Sequence, residues 1–210
     1  MGGLLSPELS PAVEDGHRRG RILAALAACM AEKGYRATTV ADIARVARVS
    51  KTVVYAHFRD KEHCLLELYS RATDRVLDTV RRAQQEASVA GLPWRDQVRA
   101  AVCAYVDVLA AWPAVAWAAL VEVQAAGRAA LALRRDVIDR WVALLTELAG
   151  EFAERHPDEV RPVGRELMVA AVGGINELML ARVEHGEAYR VTEDADAATA
   201  VLVGLLERRP

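Results

Sequence analysis

Apolar residues recur with the helical period of about 3.6 along most of the chain. Near the start, Ile22, Leu23, Leu26, Ala27 and Met30 follow this spacing, which is typical of the buried face of a helix. Prolines occur only at positions 7, 11, 93, 113, 157, 162 and 210, and no hairpin dipeptide separates alternating apolar runs. The pattern therefore predicts an all-α fold with about nine helices.

Stop and cap residues divide the first third of the chain into short helices. Gly34 is a predicted C′ stop for the first helix. Thr39, with Asp42 three residues later, predicts a capping box and a second helix of only two turns. Ser50 follows a tight connection and is placed to cap a third helix over 51–57. Three closely spaced helices are thus expected before a longer fourth one.

Longer helical patterns fill the rest of the sequence. The fourth helix is expected to start after Asp60 and run to Gly91, and the next to start after Pro93. Further breaks are predicted at Trp112-Pro113, near Gly127, at His156-Pro157-Asp158 and at Gly186, with long helices over about 128–155, 161–185 and 193–208. The predicted domains are a flexible leader at 1–16, a first domain at 17–62 and a second at 63–210.

Charge is distributed unevenly, although the formal net charge is only −2. Ten basic and three acidic residues lie between His17 and Lys61, which leaves 17 basic and 26 acidic residues elsewhere. A cationic segment in an otherwise anionic chain is expected when only that segment meets a polyanion. A solvated basic surface on an ordinary helical bundle is the alternative.

The second and third predicted helices form a pattern typical of a helix-turn-helix. A short second helix can enter the major groove of DNA, about 12 Å wide, while the helix before it lies across the backbone. Val53 and Val54 are needed inside, so the third helix presents polar residues outward. The candidates for groove contact are Ser50, Lys51, Thr52, Tyr55 and His57, with Ala56 beside them.

The segment from Ile22 to Leu66 resembles the TetR family of bacterial transcriptional regulators. The motifs that carry the resemblance are Ala31-Glu32-Lys33-Gly34-Tyr35, Thr38-Thr39-Val40-Ala41-Asp42-Ile43-Ala44, Val49-Ser50-Lys51, Tyr55-Ala56-His57-Phe58 and Asp60-Lys61-Glu62. The resemblance implies DNA contacts at Thr39, Lys51, Thr52, Tyr55, His57 and Lys61. Lys61, beside the free N–H groups at a helix start, is also a reasonable phosphate contact on electrostatic grounds.

Two positions depart from the family's usual pattern. Arg48 occupies the turn where the family often has Gly, so a left-handed backbone there would cost about 1 kcal/mol unless the turn differs. We include Arg48 among the DNA-binding candidates. Thr52-Val53 stands where the family commonly has Gly-Thr, so the preferred DNA bases cannot be copied from relatives.

The second domain is rich in aromatic residues, and the family resemblance implies that it binds a small molecule there. Asp107, Glu122 and Asn176 interrupt apolar runs, and Tyr105, Trp117 and Trp141 lie in the same helices. We take these six as candidate ligand contacts. Core packing of the aromatic residues and solvent exposure of the acids is the alternative.

Small residues accumulate in the last two predicted helices. Ala170, Gly173 and Gly174 lie in one, and Ala197, Ala200 and Gly204 lie in the other. Glycine inside a helix costs about 1 kcal/mol relative to Ala, and close helix approach is a simple compensation. These residues predict a homodimer interface built as a four-helix bundle, with a close crossing within the chain, or a kink at Gly173, as the alternative.

Together these features predict a cytoplasmic, ligand-responsive repressor that binds a palindromic double-stranded DNA operator as a homodimer and is released by an unknown small-molecule effector. The alternatives are a constitutive DNA binder, an activator, or a helical protein-interaction module that binds no DNA. We expect no enzymatic activity, catalytic residue, metal or cofactor, because no catalytic or metal-ligand motif occurs inside a helix. No membrane association is predicted. Cys29, Cys64 and Cys103 are expected to be reduced thiols.

Overall fold

The computed structural model describes residues 11–117, 120–121 and 128–208. These residues divide into two compact units, one ending at Leu68 and the other starting at Tyr69. Within the described ranges the regular structure is helical, and β-pairing is limited to an isolated bridge between Val160 and Glu207. The predicted all-α fold is confirmed.

The first unit begins with α1 (Pro11–Ala37), α2 (Val40–Ala47) and α3 (Lys51–His57), and the division between the units lies inside α4 (Lys61–Val89). Its core contains fully buried side chains from each of these helices and from the residue after α3: Ile22, Leu26, Met30, Ile43, Val54, Phe58 and Leu65. The helical periodicity read from the sequence therefore identifies the inward faces correctly.

Helix α1 differs from its predicted limits at the N-terminal end. It begins at Pro11, inside the segment predicted as a leader at 1–16. Proline is compatible with the first turn of a helix, because its missing N–H would have no intrahelical acceptor there. Near the other end, Gly34 has φ of 78°, so the backbone leaves the helical conformation at the predicted stop. The domain limits 17–62 and 63–210 stay predictions.

The second unit continues with α5 (Trp94–Ala111), α6 (Pro113–Trp117), α7 (Arg128–Arg155), α8 (Arg165–Glu184), a 3₁₀ helix (Ala188–Asp194) and α9 (Ala195–Leu206). Trp94, Phe152, Met168 and Met179 are among its most buried side chains. Gly91 and Gly186 have φ of 72° and 74°, so both predicted glycine breaks hold. The last two long helices begin later than predicted, at Arg165 and Ala195.

The cysteines are free thiols. Cys29 and Cys64 are buried, and burial raises the pKa of Cys64 to about 12, so its thiol stays protonated and unreactive at neutral pH. Cys103 is half-buried. Among the helices of the described ranges, none has a stretch long and apolar enough to cross a bilayer.

Candidate nucleic-acid interface and ligand cavity

Helix α2 begins with the predicted capping box. The Thr39 N–H donates to Asp42 Oδ2 at 2.9 Å, and the Asp42 N–H donates to Thr39 Oγ1 at 3.2 Å. Lys33 Nζ lies 2.7 Å from the same carboxylate. Lys33, and then the Thr39 hydroxyl and N–H, hold the pKa of Asp42 well below its usual value. Thr39 is exposed, but its hydroxyl is already engaged in the cap.

The turn between α2 and α3 is formed by Arg48 in a left-handed conformation. Its φ is 54° and its ψ is 48°, and its N–H donates to the carbonyls of Ala44 and Arg45. Arg48 is the one non-glycine residue with positive φ in the described ranges. A left-handed turn is therefore formed without glycine, at the steric cost expected for a residue with a Cβ. Arg21 supports the turn through a 2.6 Å bond to the Ala47 carbonyl.

Helix α3 separates an inward apolar face from an outward polar one. Ser50 caps it by accepting the Val53 N–H at 3.2 Å. Val54 and Phe58 are buried, and Val53 is half-buried. On the other side, Ser50, Lys51 and Thr52 are exposed and Tyr55 is 55% exposed. The predicted groove contacts on α3 thus share one accessible surface, apart from His57, which is half-buried.

Arg19 joins three helices of the first unit and was not found by the sequence analysis. Its Nη1 donates to the His57 carbonyl at the end of α3 at 3.0 Å, and its Nε donates to Glu67 Oε1 on α4 at 2.6 Å. A second guanidinium nitrogen pairs with Glu67 Oε2. The guanidinium also lies 4.6 Å from the centre of the Phe58 ring. Because these partners are 38 to 48 residues away, no local pattern signals them.

Lys61, which was predicted to contact phosphate, makes structural contacts within the first unit. Its Nζ donates to the carbonyls of Tyr35 and Thr38 at 2.7 and 2.8 Å and lies 4.1 Å from the centre of the Tyr35 ring. These contacts satisfy one carbonyl in the last turn of α1 and one in the connection from α1 to α2. Lys61 is half-buried, so the ammonium is less accessible than that of Lys51.

Two adjoining cavities lie in the second unit. The first has a volume of about 50 Å³ and the second about 90 Å³. We call the first the tail cavity; it is lined by Val80, Ala101, Val102, Tyr105, Trp141, Leu145, Val172, Ile175, Asn176 and Leu202. We call the second the polar cavity, because its lining includes Thr73, Arg134 and Glu177. Tyr105, Trp141 and Asn176 line both.

The three shared residues form one connected group. Tyr105 Oη donates to Asn176 Oδ1 at 3.3 Å, and its ring meets the Trp141 ring edge-on with centroids 5.2 Å apart. Burial raises the pKa of Tyr105, so the phenol remains a neutral hydrogen-bond donor. The structure therefore brings together Tyr105, Trp141 and Asn176, which are far apart in sequence.

The other predicted ligand residues do not join this group. Asp107 is exposed and lines neither cavity, because it lies two residues from Tyr105 on α5 and so faces the opposite side of the helix. Trp117 packs against the core of the second unit but lines neither cavity. Glu122 lies outside the described residues.

Sequence reasoning missed Tyr69, Thr73 and Arg134 in the lining of the polar cavity. Tyr69 is buried, and burial raises its pKa to about 12. An arginine within a helix is usually a solvated residue, so no sequence signal distinguishes Arg134 from its exposed neighbour Arg135. The rotation of α7 separates them, because Arg134 lines the polar cavity together with Val137, Ile138 and Trp141, and Arg135 does not.

The small residues of α8 and α9 lie on exposed faces. Ala170, Gly173 and Gly174 on α8 and Ala197, Ala200 and Gly204 on α9 are all exposed. A Cβ built on Gly173, Gly174 or Gly204 meets nothing within 4 Å. A close crossing within the chain therefore does not explain these glycines. Leu167, Val169, Leu178 and Val201 add exposed apolar side chains to the same two helices.

Metal binding has no evident location in the described ranges, where no group of three or more His, Cys, Asp or Glu residues is arranged to hold an ion. The polar groups of the candidate surfaces are instead suited to hydrogen bonding and to phosphate or carboxylate contacts.

Comparison with known proteins identifies the first unit. Residues 22–68 match the model of the family described as bacterial regulatory proteins, tetR family. The HTH-type transcriptional activator FasR of Mycolicibacterium smegmatis is 35% identical over 92 residues, which cover 44% of this chain and 40% of that protein. The chain thus matches well under half the length of this relative.

Solved structures show the same fold over nearly the whole chain. The fatty acid degradation regulator FadR of Bacillus halodurans aligns with a TM-score of 0.79 and 22% identity, covering 96% of this chain and 100% of its own. FadR of Bacillus subtilis, solved in complex with stearoyl-CoA, aligns with a TM-score of 0.75 and 17% identity, covering 88% and 97%. The family match thus covers the helix-turn-helix of the first unit, and the solved structures show that the fold of nearly the whole chain is like theirs.

Proposed function

We propose that the protein is a homodimeric repressor that binds a palindromic operator and leaves it when a small molecule fills the cavities of the second unit. The observation that carries the DNA-binding part is the exposed row of Ser50, Lys51, Thr52 and Tyr55 on a short, capped helix. Such a helix can enter a major groove with polar groups facing the base edges.

Lys51 gives the sharpest test of this surface. Its side chain is exposed, so Lys51→Ala removes a cation without disturbing the core. We expect weaker binding to an operator selected from a random duplex pool, and a slope of log K against log salt that is smaller by about 0.9. Arg135→Ala, an exposed cation on α7, is the matched control and should leave both quantities unchanged.

An unchanged affinity and salt slope in Lys51→Ala would contradict this docking mode. Failure of the wild type to bind any duplex at low salt would instead favour a protein-interaction module.

The dimer part of the proposal rests on the exposed small-residue faces of α8 and α9. Two such helices from each subunit can form a four-helix bundle about a two-fold axis. That symmetry would present two α3 helices to half-sites about 34 Å apart. The unfilled space beside Gly173, Gly174 and Gly204 is what a second subunit would occupy.

Gly174→Glu tests this interface by placing a charge on the apolar face. We expect the variant to sediment as a monomer at concentrations where the wild type is a dimer, because burying an unpaired carboxylate is strongly unfavourable. Gly150→Glu is the matched control: Gly150 is also an exposed helical glycine with nothing near its Cβ, but it lies on the polar face of α7. A dimeric Gly174→Glu variant would exclude this surface as the interface.

The effector is proposed to carry a hydrocarbon chain. The tail cavity is lined by aliphatic and aromatic side chains apart from the Tyr105 hydroxyl and the Asn176 amide, which favours an apolar occupant. The stearoyl-CoA complex of a protein with this fold supports the same class. Because the cavities are small, a long chain must displace side chains such as Trp141, and ligand binding then favours a different packing of the second unit.

Operator release measures this response directly. Stearoyl-CoA and sodium hexadecanoate are added to the protein–operator complex, and fluorescence anisotropy of the labelled duplex follows dissociation. Release by either compound supports an induced repressor, whereas unchanged binding with both would favour a constitutive DNA binder. FasR is described as a transcriptional activator. If this protein raises transcription in a promoter assay, the proposed repressor is replaced by an activator.

A further inference from the structure

The two cavities of the second unit differ in chemistry although they share a wall. Beyond the shared Tyr105, Trp141 and Asn176, the tail cavity is lined by aliphatic side chains alone. The polar cavity adds Arg134, Thr73 and Tyr69 to its lining. An occupant that spans both cavities would therefore meet an apolar environment at one end and a cation with hydroxyl groups at the other.

Arg134 is the unusual member of this lining. It is half-buried, and in the described part of the chain no carboxylate forms an ion pair with its guanidinium. Most other half-buried arginines of the second unit have an acidic partner, as Arg140 has Asp74 and Arg182 has Asp194. A cation partly removed from water without a counter-charge is costly, and an anionic ligand would offset that cost.

The surrounding groups are suited to an anion as well. Tyr69 lies within electrostatic reach of Arg134, and its neutral phenol can donate a hydrogen bond. Thr73 is buried, but its hydroxyl already donates to the Tyr69 carbonyl one turn earlier at 2.9 Å, so Arg134 and Tyr69 are the donors in this lining that an anion would use. Glu177 is the carboxylate in this lining, but it is exposed, so solvent screens it more than it screens Arg134.

We propose that the effector is an amphipathic carboxylate whose hydrocarbon chain occupies the tail cavity and whose carboxylate pairs with Arg134. This inference rests on the proposed effector site and adds the chemical class of the ligand's polar end. A free carboxylate and a coenzyme A thioester differ at that end, because the thioester is neutral and its phosphates lie much farther along the molecule. Arg134 favours the free acid.

Direct binding tests the headgroup without DNA. Sodium dodecanoate, sodium hexadecanoate, 1-hexadecanol and palmitoyl-CoA are titrated below the concentrations at which each aggregates or precipitates. Binding is followed by calorimetry and by tryptophan fluorescence, since Trp141 lines both cavities. The variants are Arg134→Gln, Arg134→Lys and, as the matched control, Arg135→Gln. Arg135 is the next residue of α7 and is exposed.

We expect a bound carboxylate to lose at least tenfold in affinity in Arg134→Gln, because a charge-assisted pair is removed. Arg134→Lys should lose less, Arg135→Gln should bind as the wild type does, and 1-hexadecanol should bind equally to all four proteins. Circular dichroism confirms that each variant is folded.

Equal carboxylate affinity in Arg134→Gln and the wild type would overturn the headgroup assignment. Binding of palmitoyl-CoA or the alcohol alone would also overturn it, while leaving the hydrocarbon effector of the proposed function in place. If none of the four probes binds the wild type, both the headgroup assignment and the hydrocarbon effector are excluded.

Discussion

The two units differ in how far apart along the sequence their candidate functional residues lie. In the first unit, the proposed DNA surface on α3 lies within a few residues of its own caps, Ser50 and the Arg48 turn. In the second, the polar cavity joins Tyr69, Arg134 and Asn176 from three helices. Local chemistry therefore determines the proposed DNA surface, whereas long-range packing determines the cavity.

The interactions that stabilise the two units also differ. The first unit is held by caps and by single cations that each bond to more than one residue. Lys61 donates to the carbonyls of Tyr35 and Thr38, and Arg19 donates to the His57 carbonyl and to Glu67. The second contains a larger apolar core from α4 to α9 and a buried Gln84–Gln97 amide pair at 2.9 Å. Substitutions of equal size should then affect different properties in the two units.

Replacing either phenylalanine with alanine should have the largest effect on the free energy of unfolding. The protein has two, Phe58 in the first unit and Phe152 in the second, and they are 1% and 2% exposed. Each Phe→Ala change should lower the free energy of unfolding of its own unit by about 3–5 kcal/mol. All four tryptophans lie after Leu68, so tryptophan fluorescence follows the second unit alone.

Phe58→Ala should abolish operator binding and leave the denaturant midpoint of tryptophan fluorescence unchanged. Phe152→Ala should shift that midpoint strongly, because Phe152 contacts Trp94 with centroids 6.3 Å apart. Equal shifts of the midpoint in both variants would mean that the two units unfold as one, and the comparison between them would no longer hold.

Alanine variants of Lys61 and Lys51 should distinguish a lysine that stabilises the first unit from one that is proposed only to contact DNA. Lys61→Ala removes two charge-assisted hydrogen bonds to carbonyls. We expect the free energy of unfolding to fall by about 1.5 kcal/mol in total, the lower end of the range for a single such bond, because the ammonium is half-exposed and solvent offsets part of both contacts. Lys51→Ala should change it by less than about 0.5 kcal/mol. Urea unfolding followed by circular dichroism measures both, and equal losses would show that the Lys61 contacts contribute little.

Much of the first unit follows from the sequence because its determinants are local. The Thr39–Asp42 box, the Ser50 cap and the Gly34 stop all appear where residue type and spacing predict them. Arg19 and the carbonyl contacts of Lys61 were missed, since they join residues more than 20 positions apart. In the second unit Tyr105, Trp141 and Asn176, selected by residue type, line both cavities, and their contact with a ligand stays a prediction. The position of Arg134 and the exposure of Asp107 depend on helix rotation, which a single sequence specifies poorly.

Asp42 should make the first unit sensitive to acid. Its pKa is lowered in the folded state, chiefly by Lys33 and then by Thr39. The stabilisation is therefore fully present above the unfolded pKa, near 3.8, and is lost as the pH falls from there toward the lower folded value. Asp42→Asn removes this titration, so the difference in unfolding free energy between wild type and variant should shrink as the pH falls below about 4. A difference that stays constant from pH 7 to pH 3 would argue against the Lys33–Asp42–Thr39 contacts.

The smallest effect, and the one that tests local determination most directly, should come from glycine at Arg48. Arg48 has positive φ, where a Cβ costs about 1–2 kcal/mol, while glycine adds about 0.5–1 kcal/mol of unfolded-state entropy. Arg48→Gly should therefore stabilise the first unit by about 0.5 kcal/mol. Arg45→Gly, three residues earlier and inside α2, should destabilise it by about 1 kcal/mol, because the helical backbone gains nothing from glycine. Urea unfolding of the two variants should thus give shifts of opposite sign, and a loss of stability in both would mean that Arg48 side-chain contacts outweigh the backbone strain of the turn.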